Sequence, residues 1–342
     1  MESSELVITH SLVKAFKGCQ NEAKYKYVDL LTPKLFRSKP LKRGIWFHEM
    51  LEANLKGESV SAVHKRNTHT FNQMFDEEKE ALGVELPQEM EDLYRSYRWH
   101  YRADNSWKVH EVEIKLEAEL PNGQLGQGKA DALIEDDYGL WFVDHKTHLT
   151  LPTWSYRLLD QQAPYYIWLG RKMGIPVRGF IWNYVVPKGP KPLKFNKNGA
   201  LSKVLPAITD FPTVEKNLTD EQRAMPDVQD ILAKLYMVQY DRDIVQTSPV
   251  FRRDLLEPDD ETIEAVIADI STTGSSYAKF RRQVDTPGFV VPRTVSRSCE
   301  WCDFRSLCIA ELTGQNADGV RRREFSTHDP FDYYKELNVP SL

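Results

Sequence analysis

Residues 127–146 constrain the fold of this chain more tightly than any other stretch. Gln127–Glu135 and Leu140–Lys146 both alternate with a period of two, and Asp136-Asp137-Tyr138-Gly139 between them has the composition of a tight turn. Centring that turn between Asp137 and Tyr138 makes the numbers of opposed residues sum to 275, which sets Asp131 across from Asp144. Opposed side chains on an antiparallel ladder lie about 4.5–5.5 Å apart, and like charges there destabilise the pair. The same period puts Asp131, Leu133 and Glu135 on one face with Phe142, Asp144 and Lys146, and turns Ala132, Ile134, Trp141 and Val143 the other way into a core. An exposed polar hairpin face would explain any one of these residues. The joint pattern is better explained by a divalent cation, because hard carboxylate oxygens suit magnesium or manganese and the ion's charge removes the repulsion. Lys146 is then placed to face a phosphate or orient an attacking water, as phosphodiester hydrolysis requires.

The flanking chain predicts the rest of a sheet. Val109–Leu120, joined through Pro121-Asn122-Gly123, completes an antiparallel meander. A helix from Tyr156 to Met173 and an apolar strand Val177–Val186 then imply a mixed sheet containing a parallel pair. Upstream, the pattern predicts helices at Ser11–Lys17, ending at Gly18, and at Arg43–Leu55, with His48, Leu51 and Leu55 on one face. Residues 61–103, broken near Gly83–Pro87, read as two more helices. Residues 187–218, rich in Pro, Lys and Gly, read as a long surface loop; helices follow at 220–241 and 258–283, and the tail from 320 reads as poorly ordered. There is no internal repeat. The expectation is one α/β domain divided into an N-terminal helical region (1–105), a core (106–186), a basic loop (187–218), a C-terminal helical region (219–320) and a tail (321–342).

Gly128-Lys129-Ala130-Asp131 followed by Asp144-His145-Lys146-Thr147 is similar to the Gly-x-x-Asp and (Asp/Glu)-x-Lys-(Ser/Thr) motifs of RecB-like PD-(D/E)xK nucleases, with Ala130 in place of the proline that names the superfamily. Gly44 to Glu52 resembles that family's Gly-x-x-x-His-x-x-Leu-Glu helix. Taken alone, His48 on a partly apolar face would more often be a core histidine, and the second histidine of a zinc-protease helix is missing. Gln162 and Tyr166 match the family's Gln-x-x-x-Tyr helix, although Gln161 and Tyr165 offer the same spacing; Pro164 belongs in that helix's first turns. The resemblance implies a restriction-endonuclease-like core with a central mixed sheet flanked by helices and a helical N-terminal region arching over DNA. It further implies Mg2+ or Mn2+ bound by His48, Asp131 and Asp144, with the His145 backbone carbonyl as an extra ligand. Lys146 would position the nucleophile or stabilise the transition state, Gln162 and Tyr166 would support the site, and Glu113 would lie at its edge. The implied activity is that of a DNA exonuclease acting at ends or on single strands, in recombination or end processing beside a recombination protein partner.

The four cysteines, Cys19, Cys299, Cys302 and Cys308, are too few and too clustered for a disulfide framework, so three of them within ten residues point to metal. With Ser11 and Phe16 ahead of Cys19, and Cys299-Glu300-Trp301-Cys302-Asp303-Phe304 downstream, they resemble the iron-sulfur variant of this group, found in AddB-type and CRISPR-associated exonucleases and phage relatives. That resemblance, running from about residue 8 to 310, implies a [4Fe-4S] cluster clasping the two ends of the chain; four thiolates suit zinc equally well.

The net charge of −5 argues against a surface that coats nucleic acid everywhere, yet two windows are locally basic. Residues 34–43 carry Lys34, Arg37, Lys39, Lys42 and Arg43, and residues 186–203 carry Lys188, Lys191, Lys194, Lys197 and Lys203, neither with an acid. Either alone would ordinarily be a solvated loop. Beside a nuclease site, Arg43, Lys188, Lys191, Lys194 and Lys197 are expected to meet phosphates, with steep salt dependence. No run approaches the roughly eighteen apolar residues of a membrane span, and the N-terminus lacks a signal peptide's pattern, so the expected setting is the cytoplasm of a bacterium or a phage-infected host. Gly123 to Lys129 nearly spells a phosphate-binding loop, but Ala130 replaces the metal-binding hydroxyl and a strand follows, so ATP is not expected. Two rival readings keep the same residues: a catalytically silent DNA-binding subunit, which would ordinarily have lost the lysine or a carboxylate, and a zinc-stabilised protein adaptor.

Overall fold

The computed structural model describes residues 6–34, 39–102, 107–187, 189–206, 208–236 and 250–332. Strand β1 (Val7–Thr9) runs into helix α1 (His10–Gly18), where Thr9 Oγ1 accepts the Leu12 N–H as a cap; α2 (Gln20–Tyr27) and β2 (Leu31–Pro33) follow. A helical region contains α3 (Lys39–Leu55), α4 (Val60–Asn72), α5 (Asp76–Leu82) and α6 (Leu86–His100). The sheet strands β3 (Lys108–Glu119), β4 (Leu125–Asp136) and β5 (Gly139–Thr147) come next, then α7 (Trp154–Leu158), α8 (Gln162–Lys172) and β6 (Val177–Val185). Helices α9 (Phe211–Lys216), α10 (Asp220–Arg223) and α11 (Pro226–Tyr236) precede β7 (Phe251–Leu256) and the long α12 (Asp260–Gln283). The chain closes with a 3-10 turn (Arg297–Trp301), α13 (Arg305–Leu312), α14 (Ala317–Glu324) and β8 (Phe325–Thr327).

This is an α/β fold around one mixed sheet of order β1-β4-β5-β6-β7, with β3 also paired to β4. The β4–β5 hairpin has the expected register: its pairs run from Asp136↔Gly139 to Ala132↔Val143, all summing to 275. Asp136 Oδ1 accepts the Tyr138 N–H at 2.8 Å and the Trp141 Nε1–H at 3.0 Å, which pins the two-residue turn. The β5–β6 pair is parallel, as the intervening helices require. On the β4 edge that faces β5, β1 pairs in parallel with Leu125–Gln127 only, so Gly128–Asp131 lie outside both ladders. That notch in the sheet holds the site.

Both faces of the sheet are buried. One carries Leu133, Phe142, Phe180 and Trp182 against residues of α1, α8 and α12; the other carries Ala132, Ile134, Trp141, Val143 and Ile181. The carboxylate face of the hairpin is therefore no polar surface: below the two aspartates, Leu133 and Phe142 are 1% and 0% exposed. The helical region has its own core of Trp46, Phe47, Met50, Leu93 and Tyr97, joined to the sheet through Val185 and Phe251.

Several expected boundaries change. Residues 61–103 contain three helices rather than two, because Asp76–Leu82 is a separate segment before Gly83. The helix expected over Tyr156–Met173 is broken at Leu159–Gln161, where Asp160 turns to accept the Gln162 N–H at 2.8 Å; Pro164 falls in the first turn of α8. Residues 187–218 are not a bare loop: they include a Phe195↔Leu201 bridge and α9, and Leu193 and Val214 pack with Val228 and Leu232. The 220–241 helix is two pieces, and its last residues lie outside the described ones. The start of the tail is ordered, since β8 pairs antiparallel with β2. Strand β7 went unpredicted because Arg252, Arg253 and Asp254 break its apolar pattern; Asp254 is nonetheless buried, with Arg157 as its partner. No helix among the described residues is long and apolar enough to cross a membrane.

Candidate active site

The two carboxylates meet where β4 and β5 stop pairing. Asp131 Oδ2 accepts the His145 N–H at 2.7 Å, replacing the ladder bond that the notch removes. Asp144, 4% exposed, receives the Gln162 Nε2–H on Oδ1 at 2.7 Å, and Lys146 Nζ lies 2.7 Å from Oδ2. Burial raises the Asp144 pKa; Lys146 opposes that shift and Asp131 reinforces it. For Lys146, burial works against the charge, but Asp144 and Asp131 outweigh it and hold the ammonium protonated. From α3, His48 Nδ1 reaches to 3.7 Å of Asp131 Oδ2, and with 37% of its side chain exposed it is not a core histidine.

Glu113 is more central than its expected place at the edge. It lies between the pairs Val112↔Ala132 and Ile114↔Ala130, opposite Asp131, and it has a backbone φ of +61°. A non-glycine residue in this left-handed region costs on the order of 1–3 kcal/mol, a strain typically concentrated at functional sites. Its carboxyl is pushed up to about 8 by burial and by the charges of Asp131 and Glu52. Lys56 pulls the other way; Lys129 forms a direct ion pair with Glu113, and burial lowers the lysine's own pKa. Glu52, one turn beyond His48, also belongs to this group and pairs with Lys56 at 2.5 Å. Glu52 and Lys129 stand inside the Gly44–Glu52 and Gly128–Asp131 motifs, at positions to which the sequence pattern gives no role.

The fold separates the two candidate Gln–Tyr pairs. Gln161 bonds Asp269 and accepts from Lys17 at 3.2 Å, tying α8 to α12 and α1, while the Tyr165 hydroxyl donates to the Ile8 carbonyl at 2.7 Å. Gln162 faces the site, and Tyr166 packs over Gly128, where an added Cβ would lie 2.6 Å from the ring. Gly44 has a matching role, since a Cβ there would meet Thr147 Oγ1 at 2.9 Å. The glycines of the two motifs thus allow α3 and α8 to close on β5 and β4.

Beneath the site, His145 is buried and neutral, its pKa driven down to about 3 by burial. Its Nδ1 accepts from Asn183 Nδ2 at 2.7 Å, and the same amide reaches the Tyr97 hydroxyl at 2.9 Å. The signal for Asn183 was available as the one polar break in the apolar run from Phe180 to Val186. His10, delivered by β1 to the same notch, feels the charges of Asp160, Lys14, Lys146 and Asp144; nothing in its sequence neighbourhood marked it.

Among the described residues no three His, Cys, Asp or Glu side chains close around one point. The donor chemistry nevertheless fits a magnesium-type ion, which is commonly held by one or two carboxylates with water completing the shell. Asp131 and Asp144 supply those oxygens, and the raised acids around them form a negative excess that a dication would relieve.

At the far end, Cys19 lies between α1 and α2, close enough to Cys302 to act on its thiol, which burial pushes up to about 11. Asn21 Nδ2 donates to Cys308 Sγ at 3.7 Å, whereas Cys299 Sγ faces the Thr294 carbonyl at 3.8 Å. All four are free thiols, and Tyr25, Leu31, Phe304, Leu307 and Phe325 form a small core beside them. Of the expected DNA contacts, Lys191, Lys194 and Lys197 are exposed and Lys188 lies outside the described residues. Arg43 is ion-paired with Glu89, and its side chain is 13% exposed.

A sequence model described as the PD-(D/E)XK nuclease superfamily matches residues 7–309. No curated protein matches the chain.

Proposed function

The chain belongs to the PD-(D/E)XK nuclease superfamily, whose members are generally metal-dependent nucleases, and we propose that it is a Mg2+- or Mn2+-dependent DNA exonuclease acting at ends or on single strands. The observation that carries this reading is Asp144, buried on β5 just past the last β4–β5 pair, held by Gln162 on one oxygen and by Lys146 on the other, and within electrostatic reach of Asp131. Retention of both acids and the lysine disfavours a silent DNA-binding subunit.

Asp131 and Asp144 would hold the ion, with His48 and the His145 carbonyl beside them. When bound, a divalent ion polarises the phosphate and lowers the pKa of water near neutrality. Gln162 fixes the rotamer of Asp144 by its hydrogen bond, and Tyr166, packed on Gly128, fixes the helix that carries Gln162. Lys146, a permanent cation in this setting, orients the attacking water or meets charge developing on the phosphate. Lys188, Lys191, Lys194 and Lys197 would add contacts to the DNA backbone.

We read Cys19, Cys299, Cys302 and Cys308 as the ligands of a [4Fe-4S] cluster, with zinc as the competing occupant. The approach of Cys19 to Cys302 and the N–H donated to Cys308 support it. The natural setting for such an enzyme is recombination or end processing, together with a recombination protein.

The test is degradation of end-labelled single- and double-stranded DNA in Mg2+, Mn2+ and EDTA by wild type, Lys146→Ala and Asp144→Asn. Both variants should lose about 10²–10⁴-fold in rate. Equal degradation by all three would refute the assignment.

A further inference from the structure

Five of the nineteen exposed large hydrophobic side chains among the described residues lie within 149–159: Leu149, Trp154, Tyr156, Leu158 and Leu159. This stretch links Lys146 on β5 to Gln162 on α8, so both of its ends are anchored in the site. It is also tightly held. Arg157, 4% exposed, is ion-paired with Asp254 and donates to the Pro152 carbonyl at 3.1 Å. Arg252 donates to the same carbonyl at 2.6 Å and to Asp254 at 3.1 Å, while Thr153 caps α7. A segment pinned by two arginines yet showing two aromatic rings at about half exposure is a preorganised surface.

Trp154 is linked to the site through the Arg157 guanidinium. Trp154 lies 5.3 Å from the Arg157 guanidinium, Arg157 lies 5.5 Å from the Tyr184 ring, and Tyr184 is the cross-strand partner of Lys146. One cation stands on the adjoining side: Lys14, exposed and one turn from His10 on α1, acts electrostatically on both His10 and His148, and the His148 ring contacts Tyr184. Asp160, the nearby acid, is turned toward the N-terminus of α8. Aromatic faces for bases beside cations for phosphates are the requirements for binding an unpaired strand, and stacking tolerates any sequence.

Resting on the nuclease reading, we infer that the Trp154 ring is a stacking surface for an unpaired base beside the scissile phosphate, which makes single-stranded DNA the preferred substrate. A duplex keeps its bases stacked inside and gains nothing from the platform.

The test measures binding of fluorescently labelled oligo-dT without divalent metal, and cutting of that oligonucleotide and a blunt duplex in Mg2+, for wild type, Trp154→Ala and Trp154→Phe. Trp154→Ala should weaken oligo-dT binding by about ten-fold. It should raise KM on the single strand and leave duplex cutting near wild type, while Trp154→Phe retains most binding. Unchanged oligo-dT binding by Trp154→Ala would overturn the inference, and so would an equal loss on both substrates. A change of oligomeric state by light scattering, with binding intact, would mark the patch as a self-association surface instead. If wild type binds oligo-dT through Trp154 but cuts no DNA, the platform stands and the nuclease reading falls; if it does neither, both fall.

Discussion

Asp144 shows how one buried carboxylate can be kept usable. Burial raises its pKa and Lys146 works against that shift, while two donors, Gln162 on one oxygen and Lys146 on the other, fix its orientation. The neighbouring histidines behave differently. His10 is pushed down to about 4 by burial, against the pull of Asp160, and His145 to about 3, so the folded protein keeps both neutral, whereas the unfolded chain protonates them below about 6.5. Between those values the unfolded state binds more protons, so stability is fully present above about 6.5 and is lost as pH falls toward 4. Urea unfolding in EDTA should therefore show a midpoint that declines through this window, with a shallower decline in His10→Gln. An identical slope in both proteins would show that His10 is charged or solvated in the native state.

At the level of elements, the site depends on how closely two helices approach two strands. Gly128 on β4 leaves room for the Tyr166 ring, which is 7% exposed and backed by Phe180 at 6.1 Å, so the ring has no easy retreat. Gly128→Ala should cost about 1–3 kcal/mol by overpacking. It should also lower kcat, because displacing α8 moves Gln162 away from Asp144; thermal unfolding and steady-state kinetics would measure the two effects. A stable variant with normal kcat would mean the ring adjusts freely. The hairpin that carries the acids was legible because period-two alternation and a two-residue turn fix register locally. The positions of α3 and α8 were legible only as motif resemblance, since the contacts Gly44–Thr147 and Gly128–Tyr166 join residues far apart in the chain.

For the whole molecule, the ends of the chain are brought together twice, by the β2–β8 pair and by the apolar cluster around Tyr25, Phe304 and Phe325. A cluster ligated by Cys19 and the three downstream cysteines would restrain a loop of some 280 residues (299 minus 19). Chain entropy sets the scale of such a crosslink at on the order of 5 kcal/mol, an upper bound here because apolar contacts already hold the ends. Cys19→Ser, purified anaerobically, should lose the visible charge-transfer absorbance of the cluster and several degrees of Tm, whereas Lys146→Ala should keep both. Zinc in the wild-type protein, with no such absorbance, would replace the iron-sulfur assignment.

The sequence by itself determined the hairpin register, the mixed sheet and the acid-acid-lysine set, because strand alternation and turn chemistry act over a few residues. Tertiary structure alone decided that the carboxylate face is buried under α8, that Gln162 rather than Gln161 meets Asp144, and that Glu113 stands across from Asp131. It also brought β1, β7 and β8 into sheets. Those strands are short or charged and gain their stability from partners that the local sequence does not name, and the burial that shifts Asp144, Glu113 and His145 exists only once those partners are in place.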